Sequence, residues 1–228
     1  MNILYKSILA AGLATAAIAA PATAQVQGKI ATVNAAGAII NTTAFQTAYQ
    51  QIGTTFKGQI DGIRQREEER QTLLKQLDKN GDNQIDDAEL QAAQNTSQAT
   101  RIGQIEQEVA QMTNQVEGAR VYAVEQILRQ YGASVQQVAQ QQQVQIVLAP
   151  DAVVYAPAAA NITQQVVTVL NTKVPAVQIV PPQDWQPSRN SVALFQQIQQ
   201  TLMAAAQIQA AQQQQANQQQ NNQAPSGR

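Results

Sequence analysis

Between Leu77 and Leu90 the chain reads LDKNGDNQIDDAEL, with acidic and amide side chains at every second position. Asp78, Asn80, Asp82, Gln84 and Asp86 fall at the first, third, fifth, seventh and ninth places of a twelve-residue frame, and Glu89 closes it. That is the spacing of an EF-hand calcium loop, in which the seventh residue offers its backbone carbonyl and the last gives two carboxylate oxygens. Calcium is a hard cation that takes many oxygen ligands, and this frame wraps oxygens around one point. Ile85 fills the apolar eighth place. The sixth place departs: it is Asn83 where glycine is usual. Asparagine tolerates positive φ better than other non-glycine residues, so the turn survives and affinity suffers. The expectation is a weak calcium site, at about 10⁻⁴ to 10⁻³ M. Two blander readings give the same residues. One is an Asp/Asn-rich turn that needs no metal. The other is an inherited loop that only caps two helices, since such hands usually work in pairs and a single one is present.

No other chemistry is visible. The chain has no cysteine and no histidine. Disulfides are thereby excluded, as are the commonest general base and the commonest soft-metal ligand. No serine or threonine has a neighbouring base in sequence, so an enzyme is not expected. A net charge of -1 argues against a nucleic-acid partner, and aromatics at 4% are too few for a large compact core.

The elements that must position the loop follow from periodicity. Residues 1–24 read as a secretory signal peptide: Lys6, an apolar run from Ile8 to Ala20, and Ala22-Thr23-Ala24 before a cut at Gln25. The apolar run is too short and too alanine-rich to span a bilayer core about 30 Å thick, and no later segment is long and apolar enough. The mature chain is therefore expected to be exported and not membrane-spanning. Lys29 to Asn34 and Val144 to Leu148 read as strands. Between them lie more than a hundred residues of helical periodicity. Two lone strands so far apart can support each other only if the chain goes out and returns. That predicts a helical hairpin growing from a small sheet.

The returning arm carries Ile102, Ile105, Val109, Met112, Val116, Ala119 and Ala123 at alternating spacings of three and four, a seam made for another helix. The outgoing arm has Phe45, Tyr49, Ile52, Phe56, Ile60 and Ile63 on one face. Continuing that face lands on Glu67 and Arg70, so the arm should be loose at mid-length or its seam should drift. About 35 residues at 1.5 Å rise predict arms of about 50 Å. Such a hairpin needs neighbours or leaves apolar surface open to a client. The loop falls where the hairpin should reverse, with Asp87 to Gln94 completing the tip and Thr96 or Ser97 capping the return.

The fold class is thus α+β, mostly α. Residues 25–42 and 144–175 form a small β-containing body, and 43–143 form the hairpin arm with its loop at 78–89. Asn161 or Thr163 should cap a short helix whose apolar face is Val166, Val167 and Leu170. Residues 176–206 read as a proline-broken extension and a short helix with Val192, Phe195, Ile198 and Leu202 on one face. The Gln-rich tail, 207–228, has little to bury and should be disordered.

The order of parts resembles the Skp family, also called OmpH-like, of periplasmic chaperones from Gram-negative bacteria. The likeness covers about Lys29 to Leu170 and is most specific from Val144 onward: a strand, Asp151, Val153-Val154-Tyr155, then Asn161-Ile162-Thr163 opening a helix. The resemblance implies a homotrimer whose small sheets join into a body and whose arms enclose a cavity. Unfolded outer-membrane proteins would be held there without ATP. Ile30, Thr32, Val33, Ile146, Leu148, Val154, Tyr155, Val166 and Leu170 would build the body. The chain departs from the family pattern in its arms, which in other members are often basic. From Lys57 to Arg129 nine basic residues face thirteen acidic ones. The calcium-type loop and the chain beyond about Pro175 are further departures. The resulting expectation is a periplasmic holdase with a calcium loop on its arm. The alternative is a calcium-binding envelope scaffold without chaperone activity.

Overall fold

The structure, a computed structural model, describes residues 28–223, with side chains through residue 216. The expected signal peptide lies outside the described residues. Strand β1 (Lys29–Thr32) and strand β2 (Val144–Leu148) form a two-stranded sheet. They run parallel, with Ile30 opposite Ile146, Ala31 opposite Val147 and Thr32 opposite Leu148. A parallel pair cannot be closed by a tight turn and needs a long crossover. Here the crossover is the whole helical hairpin. Asn161 lies beside Thr32 in an isolated bridge, and the Ile162 N–H donates to the Thr32 carbonyl at 2.9 Å.

Short polar side chains punctuate the body. Asn34 ends β1 and caps α1 (Ala35–Ile40), its Oδ1 accepting from the Gly37 N–H at 2.8 Å. Thr42 caps α2 (Thr43–Thr55), its Oγ1 accepting from the Phe45 N–H at 3.2 Å. These bonds satisfy donors that a first helical turn leaves free. At the start of α6 (Thr163–Lys173) the expected capping residues do something else. The N-cap is Ile162, without a side-chain bond. Asn161 Oδ1 accepts from the Thr163 N–H at 2.9 Å, and the Thr163 hydroxyl oxygen accepts from the Asn34 N–H at 3.0 Å. The pair thereby ties α6 to the end of β1.

The hairpin leaves the body at Phe56, where α2 stops and α3 (Lys57–Leu77) begins. The break lies between Gly53 and Gly58, and the Thr54 hydroxyl donates back to the Gln50 carbonyl at 3.1 Å. Glycines and such back-bonding both bend helices. Helix α3 runs antiparallel to α5 (Ser97–Gln142): Gln59 meets Gln115, Arg66 meets Glu108 and Glu69 meets Arg101. At the root, Ile52, Val116 and Ala119 are buried together with Phe56, Ile60 and Ile179 against them. Further out the packing thins, and α3 has no buried residue at all. The free arm is shorter than the sequence suggested. The 21 residues of α3 span about 30 Å, because Phe45 and Ile52 of the outgoing helix are consumed by the body and the root.

The C-terminal part is not a separate extension. Leu194, Phe195 and Ile198 of α7 (Arg189–Gln223) are buried in the same core as Ile39, Ile127 and Leu170. The tail expected to be disordered is helical as far as Gln223. Every residue from Met203 to Ala216 is exposed, so little of this stretch is buried against the body. Its alanines and glutamines are good helix formers, and a packed first half has already met the nucleation cost.

Candidate functional site

The loop folds in the manner its sixth place requires. Asn83 takes φ of 62°, the left-handed conformation that asparagine tolerates, and Gly81 takes 77°. Asp78 folds the first half around itself: Oδ1 accepts from the Gly81 N–H at 2.6 Å and Oδ2 from the Asn83 N–H at 2.8 Å. Asn80 Oδ1 accepts from the Asp82 N–H, and Asp82 Oδ1 from the Gln84 N–H, both at 2.8 Å. Glu89 is buried and turned onto the loop backbone. Its Oε1 accepts from the N–H groups of Lys79 at 2.6 Å and Asn80 at 3.1 Å, and its Oε2 from that of Asp86 at 3.3 Å. Asp86 returns the favour, accepting from the Glu89 N–H at 2.8 Å, which makes a capping box on α4 (Asp87–Ala93). The structure therefore brings Asp78, Asn80 and Asp82 into one turn and Asp86 and Glu89 into one cap. Gln84 is exposed between them. No three acidic side chains converge into a metal-holding group among the described residues. Beyond α4, Asn95 has φ of 66° and Thr96 caps α5, with Oγ1 accepting from the Ala99 N–H at 3.2 Å.

Next to the tip, the two arms are joined by charge around the fully buried Ile105 of α5. Arg101 of α5 holds Glu69 of α3 with two bonds, at 2.7 and 3.0 Å, and Glu108 with a third at 2.9 Å. Arg66 of α3 reaches Glu69 at 3.0 Å and also pairs with Glu108. Hydrogen bonds from Arg101 hold both carboxylates below their usual range, against a smaller opposing effect of desolvation. Glu67 and Arg70, which the outgoing stripe placed on the seam, pair with each other at 2.7 Å. The charges in the sequence announced a weak seam there, but not this four-membered clasp.

The residues expected to build the body divide into two groups. Thr32, Val33, Val166 and Leu170 are buried in the chain's own core. Ile30, Ile146, Val154 and Tyr155 are exposed, at 52, 39, 107 and 85%. Leu148 lies half-buried between them, and with Ile30, Val154 and Tyr155 it lines an open groove of about 460 Å³.

Sequence reasoning missed how the chain after α6 is fastened. Glu125 sits buried in the apolar stretch of α5. Burial opposes its ionisation, but bonds from Arg129, the Ser188 N–H and the Ser191 hydroxyl prevail, and its pKa lies below the usual carboxylate range. One residue on, Gln126 bonds the backbone of Gln178. A charged residue amid Val121, Ala123, Val124 and Ile127 was the available signal.

The family described as outer membrane protein (OmpH-like) matches residues 29–170. No curated protein matches the chain. Among solved structures, one from Caulobacter crescentus CB15, described as a candidate outer membrane chaperone (OmpH-like), is 18% identical with a TM-score of 0.41. The alignment covers 71% of this chain and 95% of that one. With its family match running from the first strand into α6, over more than half of its length, this chain belongs to the OmpH-like family.

Proposed function

We propose that the protein is an ATP-independent holdase of the periplasm that works as a homotrimer. Three copies join through their small sheets, and unfolded outer-membrane proteins are held in the space between the arms. The carrying observation is the exposed cluster of Ile30, Ile146, Val154 and Tyr155 beside the parallel strands. A two-stranded sheet is marginal alone, and apolar groups gathered on a surface mark an interface. Family membership supports the chaperone role. The exposed arms beyond the root, with no buried residue on α3, leave surface for a client. A refolding assay tests the reading. The protein should slow aggregation of a urea-unfolded outer-membrane β-barrel diluted into buffer without nucleotide. Aggregation at the uncatalysed rate in the presence of excess protein would overturn it.

The loop at the tip is proposed to bind calcium weakly. The positive φ at Asn83 and the nested Asp78 and Asp82 turns support this. Asp78, Asp82, Asp86 and Glu89 would supply carboxylate oxygens, Asn80 an amide oxygen and Gln84 a carbonyl. Glu89 must first swing away from the backbone groups it now caps, which keeps the affinity low. The same loop favours a second reading, in which the metal stiffens the tip of an envelope scaffold that holds no client.

A further inference from the structure

Between α6 and α7 the chain crosses the root of the hairpin as a strap without regular structure, residues 174–188. Gln126 of α5 fastens it. Its side-chain Nε2 donates to the Gln178 carbonyl at 2.8 Å, and its Oε1 accepts from the Gln178 N–H at 2.9 Å. One side-chain amide thus makes both bonds that a neighbouring β-strand would make. Those bonds read backbone only, so any extended residue satisfies them. Ile179, next along, enters the cluster of Ile52, Val116 and Ala119. Trp185 then packs edge-on against Tyr122 with ring centroids 5.2 Å apart. The track therefore has a backbone clamp, an aliphatic socket and an aromatic platform.

The strap is pinned at its ends, by buried Val174 and by the Ser188 N–H on Glu125, and lies partly open between them. Val180 is 62% exposed, and Gln178 and residues 182–184 face solvent. The Trp185 indole N–H is buried without a hydrogen-bond partner among the described residues. A buried donor left unpaired opposes the burial. With no helix or sheet ladder of its own, the strap belongs to the low end of local stability.

We propose that the track formed by Gln126, the socket of Ile52 and Val116, and Tyr122 binds an extended apolar peptide, and that residues 174–188 are its built-in, displaceable occupant. The partner is an unstructured chain with an aliphatic side chain directly after the clamped residue and an aromatic one six residues beyond that. Unfolded strands from a β-rich protein have that character. The inference rests on the holdase reading and names where on each subunit such a client is gripped.

The test uses the full-length protein and a synthetic peptide of residues 174–188 carrying Trp185→Phe. The protein has a single tryptophan, so its emission reports whether the strap has left the track. The Ile179→Ser protein, with its own strap loosened, should bind the peptide at least tenfold tighter than the unaltered protein. Adding Gln126→Ala should abolish that gain. Gln178→Pro, which removes the clamped N–H and leaves Ile179 in place, should act like Ile179→Ser. If neither loosened variant binds the peptide more tightly while both keep unaltered helicity, the proposal is overturned. Client aggregation is followed in parallel. Peptide binding without client protection sinks the holdase reading and leaves the track. Client protection with no peptide bound to either loosened variant sinks the track and leaves the holdase.

Discussion

Glu89 caps the loop in the structure and would have to leave that role to hold the proposed ion, so the cap sets what its removal does. Its carboxylate collects three backbone N–H groups and completes a capping box, so it ties the loop to α4 without any metal. Glu89→Ala leaves those donors to water and should cost the tip about 1–2 kcal/mol, the range of a lost helix cap. Amide hydrogen exchange should quicken at Lys79 and Asn80 and stay unchanged in the body core. Calorimetry with millimolar calcium should give heat on the unaltered chain and none on Glu89→Ala or Asp78→Ala. Heat that persists in both variants would place the ion elsewhere, and no heat from the unaltered chain would leave the loop as a cap only. The turn was legible in sequence because the place of the positive φ, at Asn83, is a backbone property. The direction in which Glu89 points was not. It depends on a side-chain torsion that chooses between a cation and three nearby donors, and residue type does not decide that.

At the scale of elements, the two arms are coupled unequally along their length. Near the body the coupling is apolar, through Ile52, Val116 and Ala119. Further out the clasp of Arg66, Glu69, Arg101 and Glu108 surrounds a single fully buried side chain of α5, Ile105. Each clasp residue is partly exposed, so the pairs are screened by salt. Their pH dependence has a definite sign. Glu69 and Glu108 have pKa values in the folded arm below the ordinary 4.5. A carboxylate of that kind contributes stability above its unfolded pKa and loses it as pH falls through the folded one. The outer arm should therefore exchange amides faster as pH drops below about 4.5, once corrected for the intrinsic rate. Molar salt should act in the same direction, and the root should respond to neither. Glu108→Gln should remove most of the acid response; an acid response unaltered by that change would locate its source outside the clasp. The hairpin and the seam of α5 were legible because an apolar period survives in single residues, whereas α1 and the break at Phe56 were not foreseen. The clasp was not, because it pairs residues 32 and 42 apart, and pairing at that distance depends on the register of the hairpin. The same limit hid the joining of α7 to the core, since a correct apolar face does not say which surface it covers.

At the scale of the whole molecule, the apolar surface that the core leaves uncovered is the ground for the proposed assembly. The body closes on itself through α1, α5, α6 and α7, yet leaves Ile30, Ile146, Val154 and Tyr155 in water on the side of its two-stranded sheet. Val154 and Tyr155 contribute almost nothing to the single chain, being 107 and 85% exposed. Replacing them with charge should then leave the fold of the subunit intact. In the proposed trimer the same groups are covered, and a buried unpaired carboxylate at an interface is costly. Val154→Asp with Tyr155→Asp should therefore keep the helical circular dichroism of the unaltered protein while shifting its sedimentation from three chains to one at micromolar concentration. The separated subunits should also lose holdase activity, because the enclosed space exists only between arms. If the double variant sediments like the unaltered protein, the exposed patch is not the joint. If it separates and still protects a client fully, the cavity between arms is not where the client is held, and the track on each single subunit becomes the site to pursue.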